Sequence, residues 1–153
     1  MANNLISDRE GNIIFDPQGA GYDCSTLKDA AELAVNLGIN LADANFYNAL
    51  LREAHLVSAQ LGRADLRVAN LAGADLSGAD LRNADLRMAI LFDANLTGAD
   101  LRGANLRCAI LQKAKLFSVR LDGADITGTD REEELKPHGV DTGYIFVRKR
   151  KTA

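Results

Sequence analysis

The residues with chemical potential in this chain are two histidines, two cysteines, 21 acids and 18 bases, with a net charge of −3 over 153 residues. His55 and His138 are far apart in sequence, and neither has a nucleophile or carboxylate placed beside it in a recognisable motif. No Ser-His-Asp set, phosphate-binding glycine loop or metal-ligand spacing is visible. Both histidines are expected to be exposed structural residues, so no catalytic residue, cofactor site or metal site is assigned. Cys24 and Cys108 read as reduced thiols of a cytoplasmic protein, and Cys108 as a small apolar contact rather than a reactive thiol.

The carboxylates offer a more tempting reading. Asp or Asn recurs every five residues, at Asp65, Asn70, Asp75, Asp80 and Asp85, and again at Asn95, Asp100 and Asn105. Spaced carboxylates can do acid–base work or bind calcium. Here each precedes a Leu at fixed spacing, and the glycine-rich pattern of calcium-binding β-rolls is missing. The spacing assigns them to the architecture. Arginines recur too: Arg67, Arg87 and Arg107 are 20 apart, as are Arg82 and Arg102. Asp65 and Asp85 flank the first set, and Asp80 and Asp100 the second. Charge compensation on a solvated face is expected, with an anion- or partner-binding strip as the functional alternative.

The element that must position these residues is the repeat itself. A large apolar residue occupies every fifth position from Leu41 through Leu121 to Ile126, 18 times without a break, with Phe46 the one aromatic. Two residues before each stands Ala, save at Ile39 and Val119. An α-helix turns about 500° in five residues, so these leucines share no stripe. A straight strand would flip them from face to face. The period works if the backbone turns a corner every five residues and both apolar side chains point inward. Segments ADLRVANL, ADLRMAIL and ANLRCAIL, starting at Ala64, Ala84 and Ala104, repeat at a spacing of 20. Four sides therefore make one coil, and residues 20 apart stack in columns.

The A-(D/N)-L-x-x unit resembles the pentapeptide-repeat family over residues 39–130. That resemblance implies an all-β solenoid, a right-handed quadrilateral β-helix; the handedness comes from the family, not from the spacing. Residues 1–38 are expected to form an N-terminal hairpin and capping helix, and 131–153 a C-terminal cap and basic tail. Thr26 to Leu37 reads as the helix, with Thr26 and Asp29 a loose capping box, Gly38 the stop, and Leu27, Ala30, Ala31, Ala34 and Leu37 facing the first coil. Leu5-Ile6 and Ile13-Ile14-Phe15 read as the hairpin. Asp130 to Lys136 reads as a short helix, and Tyr144 to Val147 as a strand. Glycine at the corners, as at Gly73 and Gly98, suits positive φ. Val68 resists it, so the corner shared by Val68, Met88 and Cys108 is expected to use another turn.

The outward positions suggest function. Val68, Met88 and Cys108 form one apolar column, and Leu50, Ile90 and Ile110 another, interrupted by Asn70, with Phe92 just beyond. An apolar patch on a polar coil marks a contact. The candidate contact face is Val68, Met88, Cys108, Ile90, Ile110 and Phe92, with Arg67, Arg87 and Arg107 beside it. Its cover is either the chain's own hairpin or Tyr144–Val147 strand, or a protein partner, a second copy (homodimer) included. A non-catalytic protein-binding or scaffolding module is the leading reading. The alternative that the family resemblance implies is a DNA mimic that binds a type II topoisomerase such as gyrase, the quinolone-resistance type. Residues 39–130 hold 11 Asp or Glu and 10 Lys or Arg, a net −1, which is a poor imitation of DNA. The start of the chain reads as no signal peptide, no apolar run is long enough to span a membrane, and the basic run at residues 148–151 is a weak argument for nucleic-acid binding.

Overall fold

A computed structural model describes residues 4–135. Its centre is a coil with a corner every five residues. Parallel single-residue bridges join positions 20 apart, such as Asp65↔Asp85, Asn70↔Ile90 and Ile90↔Ile110. These bridges, not long strands, hold the coils together. The Leu amide donates one coil forward, as Leu71 does to Ile90 at 2.8 Å, and the amide before it donates one coil back, as Ile90 does to Ala69 at 2.9 Å. Successive coils are then separated by the ordinary strand spacing of about 4.8 Å.

The interior is the Leu–Ala ladder. Every Leu at the five-residue positions from Leu41 to Leu116 is buried, as is Phe46, and so is every Ala from Ala44 to Ala114. Leu121, Ala124 and Ile126 of the final coil are only partly covered. Ala at the second inward position is what lets four leucines share one coil at interior packing density.

Each corner is a β-turn. The amide of the next Ala bonds the Leu carbonyl, as Ala69 does to Leu66 at 3.1 Å, and the second central residue has positive φ at all 18 corners. That is the type II pattern. Gly73 and Gly98 adopt it without cost, at φ 70° and 72°. The expectation of a different turn at Val68, Met88 and Cys108 is wrong: their φ values are 61°, 59° and 57°. Ladder bonds on both sides of the corner, including Val68 N–H to Arg87 C=O at 3.0 Å, impose the same geometry whatever the side chain. Val68 bears that conformation as strain.

The N-terminal elements follow the sequence reading closely. Strands β1 (Ile6–Ser7) and β2 (Ile13–Phe15) form an antiparallel hairpin. Helix α1 (Leu27–Asn36) has Thr26 as N-cap, and the Thr26–Asp29 capping box closes in both directions, so Asp serves as well as Glu here. Gly38, at φ 71°, ends it: Gly38 N–H bonds Val35 and Ile39 N–H bonds Ala34, a Schellman closure. Ala30, Ala31 and Ala34 are buried, whereas Leu37 is 46% exposed and does not join that face. At the other end, α2 spans Glu132–Leu135. His138 and the expected strand at residues 144–147 lie outside the described residues.

The ends of the ladder show how an open coil is closed. Where a preceding coil is missing, Ser7 C=O takes the Asn45 amide at 2.7 Å and the Glu32 carboxylate takes the His55 amide at 2.8 Å. Where a following coil is missing, Asp130 takes the Leu111 amide at 2.7 Å and Glu132 the Gly128 amide at 2.6 Å. Arg131 Nη1 donates to Ala114 C=O at 2.8 Å. Carboxylates stand in for absent carbonyls, and a guanidinium for an absent amide, so these edge groups do not stay unpaired.

Candidate protein-contact face

The Asp and Asn residues before each Leu have a structural task. Their Oδ1 accepts the amide two residues on: Asn70 from Ala72, Asp75 from Ser77, Asp85 from Arg87 and Asn95 from Thr97, at 3.0 to 3.3 Å. The bond braces the entry to the corner. It accounts for the five-residue recurrence of short oxygen-bearing side chains without any catalytic or calcium-binding role. Among the described residues no group of three or more His, Cys, Asp or Glu could hold a metal ion.

Arginines complete that brace. Arg67, Arg82, Arg87 and Arg102 each set Nε and Nη2 on the carboxylate two residues earlier, at 2.6 to 2.8 Å. Hydrogen bonds from the guanidinium groups hold the Asp65, Asp80 and Asp100 carboxyls below the ordinary range. Asp65 is 1% exposed, covered by the hairpin, with Arg9 at 3.4 Å. Arg107 has Asn105 in place of the acid and reaches Asp125 at 3.4 Å. Tyr47 heads the same column and lies 5.2 Å under the Arg67 guanidinium. The 20-residue spacing already linked Tyr47 to these arginines; the sequence reading passed it over.

The apolar columns break the rule just described. Between positions 65 and 105 the residue before Leu is Asp or Asn in eight of nine units; Ile90 is the exception. Ile90, Ile110 and Leu50 have no oxygen with which to brace the corner that follows. They lie on one flat side of the coil, joined by the bridges Leu50↔Asn70↔Ile90↔Ile110. The corner before that side carries Val68, Met88 and Cys108, and the corner after it carries Ala72 and Phe92. Leu50 is 76% exposed, Met88 61% and Ile110 43%, while Ile90 and Phe92 are half-buried among them. Lys113 Nζ sits 5.1 Å from the Phe92 ring. The candidate residues therefore share one surface, with Arg67, Arg87 and Arg107 along its edge.

The hairpin does not cover this surface. It docks on the preceding side, through the Asp8↔Ala44 bridge and the Arg9–Asp65 contact. An open polar cleft of about 600 Å³ separates its turn (Asp8, Arg9 and Glu10) from Asp43, Arg63 and Asp85 on the coil. Asp43 and Arg63 pair on its coil wall, exposed to solvent. His55 is exposed. No helix among the described residues is long and apolar enough to cross a membrane.

A four-sided β-solenoid with a patterned outer surface defines the class. The sequence profile of pentapeptide repeats matches the chain in 8 copies over residues 38–67, 59–98 and 94–130. The chain belongs to the pentapeptide repeat family. Solved structures similar to it include a pentapeptide repeat protein (Rfr23) from the cyanobacterium Cyanothece 51142, at 37% identity over 59% of this chain and 63% of that one, with a TM-score of 0.33. Another is HetL, a pentapeptide repeat protein involved in heterocyst differentiation regulation from the cyanobacterium Nostoc sp. strain PCC 7120, at 29% identity over 60% and 65%, with a TM-score of 0.34. QnrB1, a plasmid-mediated fluoroquinolone resistance protein, matches at 16% identity over 63% and 62%, with a TM-score of 0.21. The matched part spans less than two thirds of each of these chains. No curated protein matches the sequence.

Proposed function

We propose that this protein is a non-catalytic protein-binding module, a right-handed coil in the family's manner, whose contact face is Val68, Met88, Cys108, Ile90, Ile110 and Phe92, flanked by Arg67, Arg87 and Arg107. One observation carries the reading: Ile90 replaces the corner-bracing Asp or Asn with an outward-facing aliphatic, next to an exposed Met88, in the most regular stretch of the coil. A position that forgoes a local stabilising bond and presents apolar surface to water is under a demand other than folding. Phe, Met and Arg, all present on this face, are residue types that interfaces favour.

The alternative, DNA mimicry toward a type II topoisomerase, calls for uncompensated carboxylates. Asp65, Asp80, Asp85 and Asp100 are each held by an arginine, so no effect on gyrase supercoiling is expected from the added protein.

The test replaces Ile90 and Met88 with Asp. The variant should fold, because neither side chain is in the core, and should lose association that the native chain shows, either with itself or with a protein retained from its own cell extract. Identical association by both chains refutes the reading.

A further inference from the structure

The contact face has an internal symmetry that names its partner. Outward from Ile90 in both directions, the outward-facing residues are Met88 and Phe92, then Arg87 and Asp93; Ala89 and Leu91 between them are buried. At this rung the flat side is thus apolar at its centre, with a cation on one edge and an anion on the other. Arg87 is held by Asp85 at 2.7 Å, whereas Asp93 is exposed and makes no ion pair among the described residues.

We propose that the face binds a second copy of this chain, side by side and parallel, about a two-fold axis that runs along the coils between the two copies of the Leu50–Asn70–Ile90–Ile110 column. This rests on the contact-face reading above and deepens it. A two-fold parallel to the coil axis exchanges the two edges of the face. It sets Met88 against the partner's Phe92, a favourable sulfur–aromatic match, and Arg87 against the partner's Asp93, and it does both twice. A two-fold across the coil axis would instead lay the Arg67, Arg87 and Arg107 column against its own copy, like charge on like charge. At the Ile90 rung charge therefore favours the parallel arrangement.

Spacing supports the same partner. Columns on this face repeat at about 4.8 Å, the coil separation. Along an extended peptide, side chains on one face repeat at about 6.8 Å, twice the strand rise, and fall out of step within two rungs. A second copy has the same period, so every rung stays in register. Each central residue then meets its own counterpart, and Asn70 falls on the axis. Its Oδ1 already accepts the Ala72 amide at 3.2 Å, and its Nδ2 is available to donate across the interface. A polar pair inside an apolar seam fixes register at some expense of affinity, as buried Asn does in coiled coils. The rung below places Arg107 opposite the partner's Lys113; both sit at the rim, the first beside Asp125 and the second over Phe92. Four rungs give only about 19 Å of seam, less than a standard interface, so micromolar affinity is expected.

The experiment is sedimentation equilibrium of the full chain from micromolar to millimolar concentration. It is joined to bismaleimide crosslinking of Asn70→Cys, Ile90→Cys and Ile110→Cys in a Cys108→Ser background. The expected mass rises from 16.4 kDa toward twice that value. Asp93→Arg should weaken the dimer about tenfold, and all three cysteine variants should crosslink to themselves in similar yield. Crosslinking that peaks at one position overturns the parallel arrangement. A chain that stays monomeric, while its Ile90→Asp/Met88→Asp variant loses a partner that the native chain holds, overturns the second copy and leaves the contact face standing. A monomer in which the new thiol of Ile90→Cys resists maleimide places residues 136–153 over the face and also overturns the proposal. A monomer in which that thiol reacts freely, with no partner lost in the Asp variant, sinks both.

Discussion

Leu91 and Ile90 are neighbours in sequence, similar in size, and opposite in purpose. Leu91 belongs to the interior ladder, fully buried, one of a column that never varies from Leu through the middle coils. Ile90 belongs to an outer column that reads Leu, Asn, Ile, Ile and stands half in solvent. The inner column shows what the fold requires, because any departure there meets close-packed neighbours. The outer column is free to vary, since the main-chain ladder forms whatever side chain points outward. Its departures from Asp or Asn are where function can be written.

That contrast can be broken most easily in the interior. Leu86→Ala should cost about 2–5 kcal/mol through lost burial and a cavity that the rigid coil cannot close. Ala89→Leu should cost about 1–3 kcal/mol by overfilling the coil. Met88→Ala, on the surface between them, should stay within about 0.5 kcal/mol. Urea unfolding curves would rank the three, and comparable losses at 86 and 88 would erase the distinction between ladder and face.

A smaller effect separates two kinds of ion pair. Asp65 is covered and bonded by Arg67, so Asp65→Ala should cost about 1–3 kcal/mol. Asp43 is paired with Arg63 in open solvent, and Asp43→Ala should cost no more than about 1 kcal/mol. The pH dependence follows from the direction of the shifts. Hydrogen bonds from Arg67, Arg82 and Arg102 lower the folded-state values of Asp65, Asp80 and Asp100 below the ordinary 3.8. Their contribution is therefore complete above that value and lost as pH falls through the depressed ones. Thermal melts should be flat in this respect near neutrality and fall in strong acid, less steeply in Asp65→Asn.

The smallest expected change concerns the corner itself. Val68 is β-branched at φ 61°. Val68→Gly relieves that strain but frees the unfolded chain, for a net gain of up to about 1 kcal/mol. A loss larger than that would mean that Val68 packs against something on the face even within one molecule.

The coil was legible in the sequence because it is periodic. Eighteen large apolar residues in register admit one explanation, and the columns, the two Arg sets and the apolar face follow by counting in twenties. The cap of α1 was legible from Thr26, Asp29 and Gly38, which act locally. The turn at Val68 was misread because local preference argued against positive φ, while ladder bonds from neighbouring coils impose it. The position of the hairpin was not legible either. Whether Ser7 reaches Asn45, and Arg9 reaches Asp65, depends on where a non-repeating segment meets the coil, and no period records that. The same holds for Glu32, Asp130, Arg131 and Glu132, which close the ladder's ends by single contacts.

The most direct measurement unfolds Leu91→Asp and Ile90→Asp side by side in urea, at a dilution where the chain is monomeric. A carboxylate in the inner column should leave no cooperative transition. The same carboxylate one residue earlier should leave stability within about 0.5 kcal/mol of the native chain. A normal transition in Leu91→Asp would contradict the inward ladder, and a collapse of Ile90→Asp would show that the proposed contact face is core.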